Sequence, residues 1–385
     1  MPKAYIDVET GKVIENKIIE IKDNKIINIV DSKNYKKKVI KTETYLLPSF
    51  FDCHAHLFLT QTKEDKSLEN ALLREASLSD NLRYERAKEF LKDYIYNGFG
   101  HVCDLGNSSQ FLDVKLKSEI SSNSNYPVLF VSGPGLATYM GQFSKNANLE
   151  KVKKEYSIID EKTDIRKLLN IYLDKKVDIL KIYLDNSPGI GGMEDDILLK
   201  ILSSEESKKF KKITFHAVMP ISIQKIEKFK MKNFEHVAQW EFNRPINTEI
   251  FYNVSDLDEK VLKEFNYYNP PFYQFQKMRA KKMAEAKVKL VFGPDFYFSS
   301  SNNQKRIDYI LGQISFLSNV GFSSINIIQA LTINPARSLK VGNTIGKICI
   351  GCEASLVGIP RNPLTDSSAL KEVKFIFNKG KIIKE

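Results

Sequence analysis

Four of the chain's five histidines stand where an apolar run ends. The run from Tyr45 to Phe51 is almost wholly apolar and reads as a buried strand, with Asp52, His54 and His56 at its carboxyl end. Residues i and i+2 of a strand point to the same side, so alternation gives both imidazoles one face. Two imidazoles side by side are half of a divalent metal site. An isolated His-x-His is more often a pair of surface histidines, but this pair has company. His216 closes Lys-Ile-Thr-Phe-His, and His236 closes Lys-Asn-Phe-Glu-His one strand–helix unit later, with a helix expected over 221–230. Asp295 ends another apolar run, Lys-Leu-Val-Phe-Gly-Pro-Asp, and Lys181 lies inside the strand-like run from Val177 to Leu184. A lysine is almost never buried without a partner. His101 begins a strand instead of ending one and reads as structural.

These groups can hold two metal ions. His54, His56 and Asp295 suit one ion, and His216 and His236 suit a second. Two cations close together need an anionic bridge, and the fourth strand offers no glutamate. Lys181 supplies a bridge if its amine reacts with carbon dioxide to form a carbamate. That reaction needs the neutral amine, which burial and neighbouring cations favour.

The elements that must position these groups alternate along the middle of the chain. Strands are expected over 46–51, 100–105, 127–132, 177–184, 212–216, 234–238, 251–254 and 288–293, the seventh weakly signalled. Helices are expected over 80–97, 164–175, 193–204, 256–264 and 323–331. Eight strands alternating with helices fit an α/β (β/α)₈ TIM barrel, whose active site lies at the carboxyl ends of the strands. A doubly wound open sheet is the rival, but it would not bring strands one, four, five, six and eight around one point, and no Gly-rich phosphate loop follows strand one. Both ends of the chain read as short strands: 4–6, 17–21, 25–30 and 39–47 at the head, with a turn at Asp23-Asn24, and 345–348, 354–359, 373–377 and 379–383 at the tail. The division expected is a small β-sandwich built from residues 1–48 plus 342–385, around a barrel of residues 49–341.

Composition removes several alternatives. A chain of 385 residues can bury a core of this size, and its apolar content is ordinary for a globular protein. No run is long enough for a membrane helix and the amino terminus lacks the apolar core of a signal peptide, so no membrane partner and a cytoplasmic location are expected. The net charge of +11 raises a nucleic-acid reading. The lysines are scattered, with no basic helix interleaved with aromatics, so a solvated surface is expected and no nucleic-acid partner. Four cysteines suggest no disulfide framework: Cys349-Ile-Gly-Cys352 reads as a tight turn, and Cys53 as a small apolar residue outside the metal pocket.

Taken together, the chain resembles the metal-dependent amidohydrolase superfamily. That family's signature is His-x-His on strand one, Lys on four, His on five and six, and Asp on eight, matched here by His54, His56, Lys181, His216, His236 and Asp295. Within it the chain is most similar to the branch of imidazolonepropionase-like proteins and Xaa-Pro dipeptidases (prolidases). Supporting segments are His-Val-Cys-Asp104-Leu-Gly-Asn, Ser-Gly-Pro-Gly135-Leu, the closing Ala330-Leu-Thr-Ile-Asn-Pro-Ala-Arg-Ser-Leu and the return Ile345-Gly-Lys-Ile. Two departures stand out. Ser355 replaces a usual aspartate in the terminal β-region, which bears on packing. Val237-Ala-Gln239 lacks a glycine common after the strand-six histidine, which alters a substrate loop.

The resemblance implies a hydrolase of an amide C–N bond in a small substrate such as a dipeptide or N-acyl amino acid. It would act through two divalent ions, zinc expected, bridged by N-carboxylated Lys181 and a hydroxide, with Asp295 as general base and acid. The alternatives are a mononuclear hydrolase or deaminase of a cyclic amidine or imidazolone, a lactone or phosphotriester hydrolase, and a non-catalytic scaffold. Deaminating relatives place a glutamate where this chain has Met219, and the intact ligand set argues against a scaffold. Substrate contacts are expected from the loops at 138–140, 186–189, 241–244 and 297–299: Tyr139, Tyr183 on the face of Lys181, and Arg244 as a bidentate carboxylate partner. A homo-oligomer is common among similar enzymes.

Overall fold

The computed structural model describes residues 1–186, 192–236, 250–299 and 305–385. Eight strands frame the candidate ligands: β1 (Phe50–Ala55), β2 (Phe99–Asp104), β3 (Val128–Val131), β4 (Ile179–Tyr183), β5 (Lys212–Ala217), β6 (Asn233–His236), β7 (Phe251–Asn253) and β8 (Lys289–Val291). Every pairing among them is parallel, β1 with β2, β2 with β3, and β4 through β8 in sequence. Strands β1, β2 and β4 are buried along their whole length, which is why they appear in the sequence as continuous apolar runs. The two parallel sheets also meet at both edges through backbone hydrogen bonds. Asp178 N–H donates to Val131 O at 2.9 Å, joining the entrance of β4 to β3, and Cys53 N–H donates to Phe292 O at 2.9 Å, joining β1 to the exit of β8.

Helices follow the strands and cover them. Asp80–Tyr96 starts at Ser79, whose hydroxyl accepts from Leu82 N–H, and Ile165–Asp174 starts at Asp164, whose carboxylate accepts from Lys167 N–H. The apolar face of each packs into the main core, through Leu91 and Ile95 in the first and Leu169 and Tyr172 in the second. Two strands that the sequence did not signal, Gly135–Thr138 and Tyr156–Ile159, lie parallel to each other beside β4. Among the described residues, no helix is long and apolar enough to cross a membrane.

The termini come together as one six-stranded sheet, in the order Lys381–Lys384, Phe375–Asn378, Leu356–Ile359, Tyr45–Pro48, Ala4–Asp7, Lys12–Glu15. A hairpin of Lys17–Lys22 with Lys25–Asp31 turns at Asp23 and Asn24, both with positive φ (50° and 61°), as a two-residue turn requires. Ile19 and Ile21 pack its face against Leu46, Leu356 and Phe375 of the sheet.

Four expectations are corrected. The run 46–51 is not one strand: Tyr45–Pro48 belongs to the terminal sheet and Phe50–Ala55 to the parallel one. The change happens at Ser49, because Ser49 N–H donates to Ser355 O while Phe50 N–H donates to Gly98 O. Residues 39–44 and 345–348 form no strand, so the head and tail contribute shorter elements than their apolar content suggested. Cys349 and Cys352 are disulfide-bonded: the turn brings their Cα atoms to 5.3 Å, within bridging range. Finally, β1 runs through Ala55, so His54 sits within the strand and not beyond it.

Candidate metal centre

Strand β1 places His54 through a local distortion. Its pairing with β2 is irregular between Asp52 and Ala55, and the Asp52 carboxylate accepts the His54 N–H at 3.0 Å. Asp52 is held in turn by the Tyr94 hydroxyl at 2.8 Å, and burial pushes its carboxyl up to about 6. The His54 imidazole is fully buried. Its Nδ1 lies 2.9 Å from Glu235 Oε2, which leaves Nε2 facing Lys181 Nζ at 3.5 Å and Asp295 Oδ1 at 3.6 Å.

His56 is set the same way. Its Nδ1 meets the Gly106 carbonyl at 3.0 Å, and its Nε2 lies 3.4 Å from Asp295 Oδ1. A ring nitrogen committed to a carboxylate or carbonyl fixes the tautomer and frees the other nitrogen for a cation. One ligand atom each from His54, His56 and Asp295 falls within 4.8 Å of the others. Among the described residues Asp295 Oδ1 is buried without a hydrogen-bond partner, as a carboxylate oxygen reserved for a cation would be. Burial raises the Asp295 carboxyl, with His54 and Lys181 acting the other way. The nitrogen–oxygen donor set suits zinc or a similar divalent ion, so these residues fit a metal.

The second group adjoins the first. His216 Nδ1 is 2.8 Å from His236 Nε2, and His236 Nδ1 lies 3.1 Å from Ser255 Oγ and 3.4 Å from Asp295 Oδ2. Burial lowers His56, His216 and His236 well below the usual imidazole value, which keeps them neutral and able to ligate. His236 and Asp295 both have left-handed backbones, φ 69° and 54°. Such conformations are uncommon outside glycine and concentrate at functional sites.

Lys181 is buried on β4 with its Nζ 5.4 Å from the centre of the Tyr183 ring. Among the described residues no carboxylate lies within ion-pair distance of it. Burial pulls its ammonium down to about 8, with Glu235 and Asp295 opposing. Tyr183 stacks on His216 at 5.2 Å. The structure thus brings together His54, His56, Lys181, Tyr183, His216, His236 and Asp295. Tyr139 is different: its side chain is exposed and its hydroxyl donates to Glu194. Arg244, with residues 187–189, 237–239 and 241–244 of the expected substrate loops, lies outside the described residues.

Three neighbours were not anticipated. Glu235, beside His236, is buried and accepts from Lys212 Nζ at 2.7 Å and Thr214 Oγ1 at 2.6 Å while holding His54. Burial acts to raise its carboxyl, but Lys212 and His54 outweigh that and leave it well below the usual range. Gln142 Nε2 lies 3.5 Å from His216 Nε2 and its Oε1 accepts from the Tyr156 hydroxyl at 2.8 Å. Arg306 is buried, and its guanidinium donates to the carbonyls of Phe296 (2.8 Å), His56 (3.0 Å) and Leu59 (3.3 Å). It thereby ties the segment after β8 to the segment after β1.

The structural residues behave as expected. His101 is buried, stacks on Phe51 at 4.2 Å, and is drawn down to about 3 by burial. Cys53 packs in an apolar cluster with Cys103, their sulfurs 3.8 Å apart. Ser355 meets Ser49 Oγ at 2.7 Å in the buried junction between the two sheets.

Known proteins share this fold. The amidohydrolase family model matches residues 273–384. A crystal structure of an amidohydrolase is 20% identical, with a TM-score of 0.81 over 99% of this chain and 98% of that one. A Xaa-Pro dipeptidase with methionine bound in its active site is 17% identical, with a TM-score of 0.81 over 100% and 98%. Ochratoxinase from A. niger is 17% identical, with a TM-score of 0.81 over 100% and 95%. No curated protein sequence matches. The family model supports the amidohydrolase resemblance over residues 273–384, and the three structures share the fold of the whole chain.

Proposed function

We propose that the protein is a metal-dependent hydrolase that cleaves the amide C–N bond of a small substrate such as a dipeptide or N-acyl amino acid. The observation that carries this reading is the convergence of His54, His56 and Asp295 within 4.8 Å, with Lys181, His216 and His236 adjoining. The two parallel sheets joined at both edges are read as a closed (β/α)₈ barrel of residues 49–341. The terminal sheet with its hairpin is read as a β-sandwich of residues 1–48 plus 342–385.

In this reading His54, His56 and Asp295 would hold one divalent ion and His216 and His236 a second, with N-carboxylated Lys181 as a further ligand. Bound ions, zinc being the expected metal, would lower the pKa of water and polarise the substrate carbonyl. Asp295 takes the proton from the attacking water and passes it to the leaving amine. The lowered Lys181 amine supports carboxylation, because the neutral form reacts with carbon dioxide. Tyr183, which stacks beside His216, would donate to the developing oxyanion. Arg244 would hold a substrate carboxylate, and Tyr139 would be a further substrate contact.

The test is a screen of dipeptides, Xaa-Pro and N-acyl amino acids included, against the metal-loaded wild type and Asp295→Asn. Cleavage by the wild type, slowed by orders of magnitude in the variant, is expected. The loss should be smaller on an activated ester, whose leaving group needs no proton. Activity confined to imidazolones or aminated heterocycles would replace this reading with the mononuclear alternative.

A further inference from the structure

A cavity of about 190 Å³ opens beside Asp295. Its walls are mostly apolar or aromatic, with Leu257, Leu262, Tyr267, Phe272, Tyr273 and Phe298 beside the amides of Asn269 and Gln276, and among the described residues Asp295 is the one charged side chain that lines it. Besides Asp295, two of its lining residues contact the candidate metal centre. Ser255, which lines it, hydrogen-bonds His236 at 3.1 Å, and Tyr297, which also lines it, packs edge-on to His56 at 6.2 Å.

The walls are held in place. Gln61 Nε2 donates to the Tyr267 hydroxyl at 2.6 Å, so the polar end of that ring is satisfied. The Tyr267 ring meets Phe298 edge-on at 5.3 Å, and Phe298 stacks on Phe265 at 4.6 Å. Buried Arg279 pairs with Asp256, which fixes the helix Pro270–Glu285 that carries Phe272 and Tyr273. A pocket formed in advance spends little of its binding energy on ordering itself.

We propose that this cavity receives a benzyl-sized apolar side chain next to the scissile amide, making aromatic dipeptides or N-acyl aromatic amino acids the preferred substrates. The inference rests on the hydrolase reading above. Size supports it, since an apolar cavity of about 150 Å³ accommodates benzene. Charge supports it too. With Asp295 engaged at the metals, no other charged side chain among the described lining residues would neutralise an acidic or basic side chain, and burying a charge without a counter-charge is costly. The opposite side of the site, with Gln142, Tyr156 and Tyr183, carries the polar groups suited to the amide itself.

The experiment compares kcat/KM of the metal-loaded protein for Ala-Phe, Phe-Ala and Ala-Ala, in the wild type and in Leu262→Trp, which fills the cavity from a partly exposed helix. One of the two phenylalanine dipeptides should exceed Ala-Ala by roughly 10- to 100-fold, the worth of burying one large apolar side chain. In Leu262→Trp that ratio should collapse by about tenfold or more. Equal rates for all three dipeptides, or a ratio unchanged in the variant, overturns the pocket while leaving the hydrolase reading intact. If no dipeptide is cleaved, the decision passes to calorimetric binding of L-phenylalanine against L-alanine. Preferential phenylalanine binding lost in Leu262→Trp supports the pocket and leaves the hydrolase reading to the wider dipeptide and N-acyl screen, whereas binding equal for the two amino acids or unchanged in the variant overturns the pocket.

Discussion

Glu235 Oε2 lies 2.9 Å from His54 Nδ1, and its other oxygen takes hydrogen bonds from Lys212 and Thr214. One buried carboxylate therefore sets the tautomer of a candidate ligand while neutralising a buried lysine. Partners of this kind orient a ligating imidazole and raise its basicity. Glu235→Gln should weaken divalent-metal affinity by about 10- to 100-fold. Competition with a chromogenic chelator measures this, and an unchanged affinity would mean that Glu235 serves only Lys212.

Metal analysis of protein purified without chelator should give two divalent ions per chain. Lys181→Ala should lose one ion and most activity, with partial recovery on adding a short carboxylic acid that can enter the space between the metals. A wild-type stoichiometry that stays at one with zinc and bicarbonate supplied would remove the bridge.

Arg306 spends its charge on three backbone carbonyls, with its guanidinium 4.7 Å above the Phe90 ring. Arg306→Leu strands those oxygens, and each buried unsatisfied group costs about 1–3 kcal/mol. A stability loss of at least about 3 kcal/mol is expected in chemical denaturation, with weaker metal binding because the segments bearing His56 and Asp295 are no longer tied. Arg306→Lys should lose less. Wild-type stability in Arg306→Leu would show that water can replace the guanidinium.

His101 allows a clean pH test, because it lies outside the ligand set and is drawn down to about 3. Folded, it stays neutral; unfolded, it takes up a proton below about pH 6.5. Between those values the unfolded state binds more protons, so this histidine's contribution falls as pH falls below 6.5. Asp52, raised to about 6, pulls the other way, so a comparison between variants is needed. From pH 7.5 to 5.5, wild type should lose about 1 kcal/mol relative to His101→Phe, read from paired denaturation curves. A difference independent of pH would mean that His101 takes up its proton equally in the folded and the unfolded chain.

The candidate ligands stood out because each is a polar residue at the end of an apolar run or, for Lys181, inside one, and such residues are conspicuous. Glu235 was not. A glutamate beside a strand-end histidine looks solvated, and its partner Lys212 starts the preceding strand; only the parallel pairing of β5 with β6 brings the two together. The eight strands could be read for the same reason as the ligands, since burial on both faces leaves apolar runs. The division at Ser49 was hidden because Leu46, Leu47, Phe50 and Phe51 are all buried, though in different sheets. Tyr139 shares a loop with expected substrate contacts, but its positive φ of 53° accompanies a hydroxyl committed to Glu194, a direction the residue type alone does not encode.

Tyr45–Pro48 takes an antiparallel partner, Leu356–Ile359, from the far end of the sequence. During translation at about 5–20 residues per second, that partner emerges roughly 15–60 s after the strand it must cover. Throughout that interval the nascent chain carries an unpaired apolar edge, the kind of surface that recruits other chains. The parallel core can be complete on the ribosome while the terminal sheet still waits. A slow or stalled ribosome past residue 300 would therefore lengthen the window for aggregation without touching a single residue of the metal centre.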